Sequence, residues 1–201
     1  MNARNREDDN PMPDHELLER YRSGDYAALD ALIERYRRPL YGFILNMTDR
    51  PGDADDIFQD VWLRALRSMD GYQERGFMSW LVRIARNLMI DRFRKRRPEV
   101  SFEQENDRGG SLEHAVPDPG PGPGDEFAAG EVALCIRNAV ENLPVEQKEV
   151  FLMRVEAELP FKEIAVIQGV SISTALARMQ YALAKLRSKL AERETFAEAG
   201  S

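Results

Sequence analysis

Cysteine is almost missing from this chain. Cys135 is the single one in 201 residues, so no internal disulfide and no thiolate-built zinc site can form. Histidine is nearly as scarce, and His15 and His114 lie too far apart in sequence to suggest a metal cluster. No apolar run approaches the roughly 20 residues that cross a bilayer. Met1 to Asn10 is polar and has none of the apolar character of a secretion signal. The expectation is a protein of a reducing cytoplasm that does not insert into a membrane. No stretch alternates apolar and polar residues cleanly enough for a strand, which leaves an all-α fold. Signs of catalysis are lacking too. Gly109-Gly110 leads into no Gly-Lys-Ser/Thr phosphate loop. Cys135 falls on a predicted helix with no histidine nearby to activate it. The acids at 55, 56 and 60 sit beside Arg64, which suits a metal ion poorly. No metal, no cofactor and no enzymatic activity are expected.

A net charge of −7 speaks against a protein that simply coats nucleic acid. The charge is unevenly spread, however. Arg83, Arg86, Arg92, Arg94, Lys95, Arg96 and Arg97 face one acid, Asp91, within a short stretch. Acid gathers at the N-terminus, around Asp53–Asp60 and through Glu99–Glu126. A local basic stripe on an acidic chain fits a protein with two kinds of partner, one of them polyanionic.

The middle of the chain divides it. Pro98–Asp125 contains Gly109-Gly110 and a Pro-Gly run ending at Gly124, which can continue neither a helix nor a strand. Acidic and poor in apolar residues, it reads as an extended, flexible tether. At ~3.1 Å per residue, about 28 residues reach on the order of 80 Å. Two small helical domains are therefore expected, 14–97 and 126–195, joined by the linker 98–125. The first should hold helices Asp14–Arg22, Asp25–Met47 (bent at Pro39), Asp53–Met69 and Phe77–Arg96. The second should hold Glu126–Asn142, Val145–Glu156, Phe161–Gln168 and Ile172–Glu194. Phe58, Val61, Trp62, Ala65 and Met69 make one apolar stripe, and Phe77, Leu81, Ile84 and Leu88 another.

The last pair is the most specific local pattern. Gly169 suits the left-handed position that ends a helix, and Ser171 suits the N-cap of the next. Ile164, Ala165 and Val170 should meet Ala175, Met179, Ala182 and Leu186, with the small Ala165 and Ala175 allowing a close crossing. This is a helix-turn-helix, which sets the start of its second helix in the DNA major groove. Arg178 then reads either as a contact to phosphate or a guanine edge, or as a solvated helix charge. Pattern alone leaves two other readings open. One is a dimeric operator-binding regulator. The other is a protein-interaction module that docks a partner through Leu176 and Leu183.

Longer strings narrow the choice. Asp53-Ala-Asp-Asp-Ile-Phe-Gln-Asp-Val-Trp-Leu-Arg-Ala65, Phe77-Met-Ser-Trp-Leu-Val-Arg-Ile-Ala-Arg-Asn-Leu-Met-Ile-Asp-Arg92 and Leu143-Pro-Val-Glu-Gln-Lys-Glu-Val150 stand in order around the tether. With Leu40-Tyr-Gly-Phe and the helix-turn-helix, the chain resembles the extracytoplasmic-function sigma factors, the smallest members of the sigma-70 family. These keep two helical regions, 2 and 4, on either side of a linker.

The resemblance implies a role for each segment. The Asp53–Met69 helix would dock on a clamp coiled coil of core RNA polymerase through Asp55, Asp56, Gln59 and Asp60, with Arg64 beside them. Four residues apart, Asp56 and Asp60 share a helix side opposite the apolar stripe and can pair with a partner's arginines. The loop Asp70–Gly76 and helix Phe77–Arg96 would recognise and open the −10 promoter element. Tyr72, Phe77 and Trp80 would catch unstacked bases, Asn87 would read them, and Arg83, Arg86, Arg92, Arg94 and Lys95 would hold phosphates. Plain core packing is the competing reading for Phe77 and Trp80. The −35 duplex would meet Ser171, Ser173, Thr174, Leu176, Arg178, Gln180 and Tyr181. The linker would thread the polymerase cleft, and phosphodiester chemistry would stay with the core enzyme. An anti-sigma protein covering the same surfaces is an implied partner.

One stretch departs from the family pattern. Recognition helices there read much like Thr-Val-Lys-Ser-Arg-Leu-His-Arg-Ala, whereas this chain has Thr174-Ala-Leu-Ala-Arg-Met-Gln-Tyr-Ala182. Leu176, Gln180 and Tyr181 replace basic or polar positions. Weaker phosphate binding, and either an unusual −35 sequence or heavier reliance on −10 contacts, is the expected result.

Overall fold

The computed structural model describes residues 12–48, 50–72, 76–96 and 133–199. The first half holds α1 (Asp14–Arg22), α2 (Tyr26–Met47), α3 (Pro51–Ser68), a 3-10 turn at Met69–Gly71, and α4 (Phe77–Arg96). The second holds α5 (133–141), α6 (Val145–Val155), α7 (Phe161–Gln168) and α8 (Ile172–Ala199). No strand occurs among the described residues. The expected linker and residues 126–132 lie outside them.

Local chemistry accounts for most boundaries. Asp25 caps α2 by accepting the Ala27 amide at 3.1 Å. Its carboxyl is held below the usual range, chiefly by a hydrogen bond from Arg20. Helix α2 continues through Pro39, which interrupts one rung of its hydrogen-bond ladder without ending it. Helix α3 begins at Pro51, earlier than expected from Asp53. Proline is well suited to the first turn, where its missing N–H has no partner to lose.

Helices α2, α3 and α4 pack on one another, and α1 closes against α2. Leu32, Leu40, Phe43, Ile44, Val61, Ala65, Leu81 and Val82 are among the buried side chains that fill this bundle. In the second half α6, α7 and α8 pack mutually around Val150, Met153, Ile164 and Ala175. The two halves also touch: α6 lies against α2 and α7 against α4, and buried apolar residues form one continuous core across both. At Gly42 on α2 the approach is so close that a Cβ would come within 2.7 Å of Glu156 Oε2.

Candidate functional site

The helix-turn-helix takes the form its caps dictate. Gly169 ends α7 with φ 68°, in the left-handed region. The Val170 amide donates to the Ala165 carbonyl at 3.0 Å, sealing the end of α7. Ser171 Oγ accepts the Thr174 amide at 3.0 Å and lies 2.8 Å from the hydroxyls of both Ser173 and Thr174. Ala165 and Ala175 are buried where the helices cross. Ser171, Ser173, Thr174, Leu176, Gln180 and Tyr181 are exposed, whereas Arg178 is half-buried. Arg178 Nη1 donates to Gln168 Oε1 at 2.8 Å. The Gln168 amide is itself fixed, because its Nε2 donates to Glu149 Oε2 at 2.9 Å and to the Glu146 carbonyl at 3.1 Å. Leu183 is half-buried.

Helix α4 carries the proposed −10 surface. Phe77 needs correction as a platform for an unstacked base: it is 1% exposed and belongs to the core. Its ring centroid lies 5.2 Å from Tyr36, 5.4 Å from Tyr72, 5.5 Å from Trp80 and 6.2 Å from Trp62. Tyr72 and Trp80 are only half-buried, with ring centroids 4.9 Å apart above that floor. Arg83, Asn87, Arg94 and Lys95 are exposed. Arg86 instead turns to the second half of the protein, where its Nε donates to Glu149 Oε1 at 2.9 Å. Arg92 reaches back to α3, pairing with Asp60 at 2.7 Å and lying 3.9 Å from Asp56. Of the loop Asp70–Gly76, residues 73–75 fall outside the described set, as does Arg97.

On α3, Asp55, Asp56, Gln59 and Arg64 are exposed and Asp60 is half-buried. Asp55 accepts a hydrogen bond from the Tyr41 hydroxyl at 3.0 Å. Burial and then this carboxylate push the Tyr41 phenol above its ordinary range. Leu63 is 50% exposed next to these acids.

Three residues escaped the sequence reading. Leu63 left a signal, since it falls off the apolar stripe of α3 and should have been counted as an exposed leucine beside acids. Phe93, 52% exposed near the basic end of α4, left a similar one. Glu149 left none: it looks like any other glutamate in a charged helix, yet it is 5% exposed.

Comparison with known proteins agrees with this layout. The sigma-70 region 2 family model matches residues 32–99, and the sigma-70 region 4 model matches residues 133–186. The chain is 27% identical over 176 residues to the ECF RNA polymerase sigma factor SigW of Bacillus subtilis, covering 86% of this chain and 94% of that protein. It is 27% identical to the ECF RNA polymerase sigma-E factor of Escherichia coli over 84% of this chain and 89% of the relative. Among solved structures, CnrH in complex with the cytosolic domain of CnrY shares the fold, with a TM-score of 0.63 and 24% identity over 89% of this chain and 97% of that one. The sigma factor RpoE of Bartonella quintana, in complex with the anti-sigma factor NepR, gives a TM-score of 0.55 at 20% identity, covering 75% and 89%. Two family regions in the right order, on the helices that carry the candidate residues, identify the chain as a member of the sigma-70 family in its ECF group, a promoter-recognition factor that directs transcription initiation.

Proposed function

We propose that the two regions divide the work by surface. The exposed face of α3, with Asp55, Asp56, Gln59, Asp60, Leu63 and Arg64, grips core RNA polymerase. The neighbouring surface formed by α4 and Tyr72, which follows the 3-10 turn, sets Tyr72 and Trp80 against the buried Phe77 ring and traps strand-separated −10 DNA. Arg83, Arg86, Arg92, Arg94 and Lys95 hold its phosphates and Asn87 reads a base. The start of α8, from Ser171 to Tyr181, meets the −35 duplex. The carrying observation is the juxtaposition of an acidic face of α3 bearing an exposed leucine and a cationic face of α4 bearing the half-buried Trp80, against which Tyr72 packs.

Opening DNA without a fuel molecule requires that the separated strand be bound more tightly than the duplex, and stacking on aromatic rings supplies that difference. Phosphodiester chemistry then belongs to the core enzyme. The protein works in the cytoplasm. No described helix is long and apolar enough to cross a membrane. An anti-sigma protein is a fitting further partner, since the RpoE relative was solved with one.

Run-off transcription with core polymerase and a promoter library tests the reading. Transcripts that depend on both core and this chain are expected. A chain that neither binds core nor changes its start sites would instead fit an operator-binding regulator.

A further inference from the structure

We propose that Glu149 is a clasp that shuts the two halves on each other and, while shut, withholds Arg86 from nucleic-acid phosphate. Glu149 is the one charged side chain buried among the described residues. A carboxylate taken from water is tolerated only when paired and fully hydrogen-bonded. Both oxygens are occupied here, from different sides. Oε1 accepts from Arg86 on α4, 63 residues away in the other half, and Oε2 accepts from Gln168 on α7. With Gln168 Nε2 committed to Glu149 and the Glu146 carbonyl, its Oε1 is left facing Arg178. A continuous chain Arg86–Glu149–Gln168–Arg178 thus joins α4 to α8.

Carboxylate and phosphate compete for the same guanidinium fork. While Arg86 Nε is bonded to Glu149, that donor is closed to DNA; Arg178 is held within the second half by the neutral Gln168 amide oxygen, a bond that parting the halves leaves in place. Neighbouring acids also face the first half. Glu156 lies against Gly42, and a Cβ at Gly76 would come within 3.2 Å of Glu163 Oε2. Glu149, Glu156 and Glu163, spaced seven apart, therefore all meet the first half of the protein. They bring negative charge where a DNA strand would bring its own.

The pair is also built to open. Breaking a buried ion pair within one domain strands a charge in the interior. Here each charge belongs to a different half, so separating the halves returns both to water without unfolding either. The masking of DNA rests on the proposed role of Arg86; the clasp itself does not.

The test uses the full chain carrying Cys135→Ser, spin-labelled at Ser23→Cys and Lys185→Cys, with inter-label distances measured by pulsed electron resonance. The parent should give one short, narrow distribution. Glu149→Gln should shift most of the population to long, broad distances with unchanged helical circular dichroism, and so should Arg86→Glu. The exchange Arg86→Glu with Glu149→Arg should restore the short distance. An unchanged distribution for Glu149→Gln, or a parent already broad, overturns the clasp. In a second arm, a random single-stranded DNA oligonucleotide is titrated without polymerase. Glu149→Gln should bind about tenfold tighter than the parent, as expected for one freed charge-assisted contact. Equal binding, or none by either, overturns the masking. Run-off transcription with core polymerase separately decides the DNA reading.

Discussion

At the scale of single residues, Arg92 and Asp60 show how closely the two proposed surfaces adjoin. Their 2.7 Å pair links the α3 acids to the α4 cations. Being partly exposed, it adds at most about 1 kcal/mol to stability. Reversing charge at Asp56 and Asp60 to Arg should therefore move the thermal melt by no more than about 2–4 °C, on the order of such a small energy. The same change should weaken core binding by about 2–5 kcal/mol, the cost of breaking charged pairs at an interface. Fluorescence anisotropy with core polymerase measures this, and unchanged affinity would remove the α3 face from docking. Trp80 and Phe77 separate in the same spirit. Trp80→Leu keeps apolar bulk but loses a stacking platform worth about 1–3 kcal/mol per base. It should reduce permanganate reactivity of −10 thymines while the fold holds. Phe77→Ala empties the core and should cost about 3–5 kcal/mol of stability. If Trp80→Leu opened promoters normally, the aromatic trap would be wrong. Sequence alone left both rings as candidates, because an aromatic at helical spacing reads the same whether it faces a base or a core. Only the four surrounding rings decided Phe77.

At the scale of helices and turns, much was legible because the signals are local. Gly169, Ser171, Asp25 and Pro51 each satisfy or spare a backbone group within a few residues, and such chemistry does not depend on the rest of the fold. Helices α1, α4 and α7 match their expected limits, while α3 starts at Pro51 rather than Asp53, with Pro51-Gly52 in its first turn. The turn itself supports a prediction. With φ 68°, Gly169→Ala forces a Cβ into the left-handed region, at a cost of about 1–2 kcal/mol. Urea unfolding should show a lower midpoint at unchanged slope, and no change would mean that the turn readjusts. Along α8, the exposed Leu176 stands where a cation would add a phosphate contact. Leu176→Lys should tighten duplex binding at low salt and steepen the log–log salt slope by about 0.9. A flat response would place this position away from the DNA backbone.

For the molecule as a whole, the contact between the halves was the part the sequence concealed. A proline- and glycine-rich tether argued for separate domains, and no periodicity links Arg86 to a glutamate 63 residues on. Long-range charge pairing leaves no local trace, so the buried Glu149 had to be seen in place. Glu163 turns that contact into a pH prediction. Burial raises its carboxyl above the usual range, and Lys162 pulls weakly the other way. The group lies against Gly76 and near Ser79 of the first half, so part of that burial comes from docking. The docked state then binds a proton more readily than the separated one. Ionised at neutral pH, Glu163 opposes docking; as pH falls through its raised value toward the ordinary range, protonation removes that opposition and the closed form gains. Glu163→Gln should hold the halves more firmly together at neutral pH and flatten the dependence. Inter-label distances recorded from neutral pH down into the ordinary glutamate range, about 4, measure the difference. A parent whose distances ignore pH, or a Gln variant that follows the same curve, would mean that this carboxyl is not desolvated by docking at all.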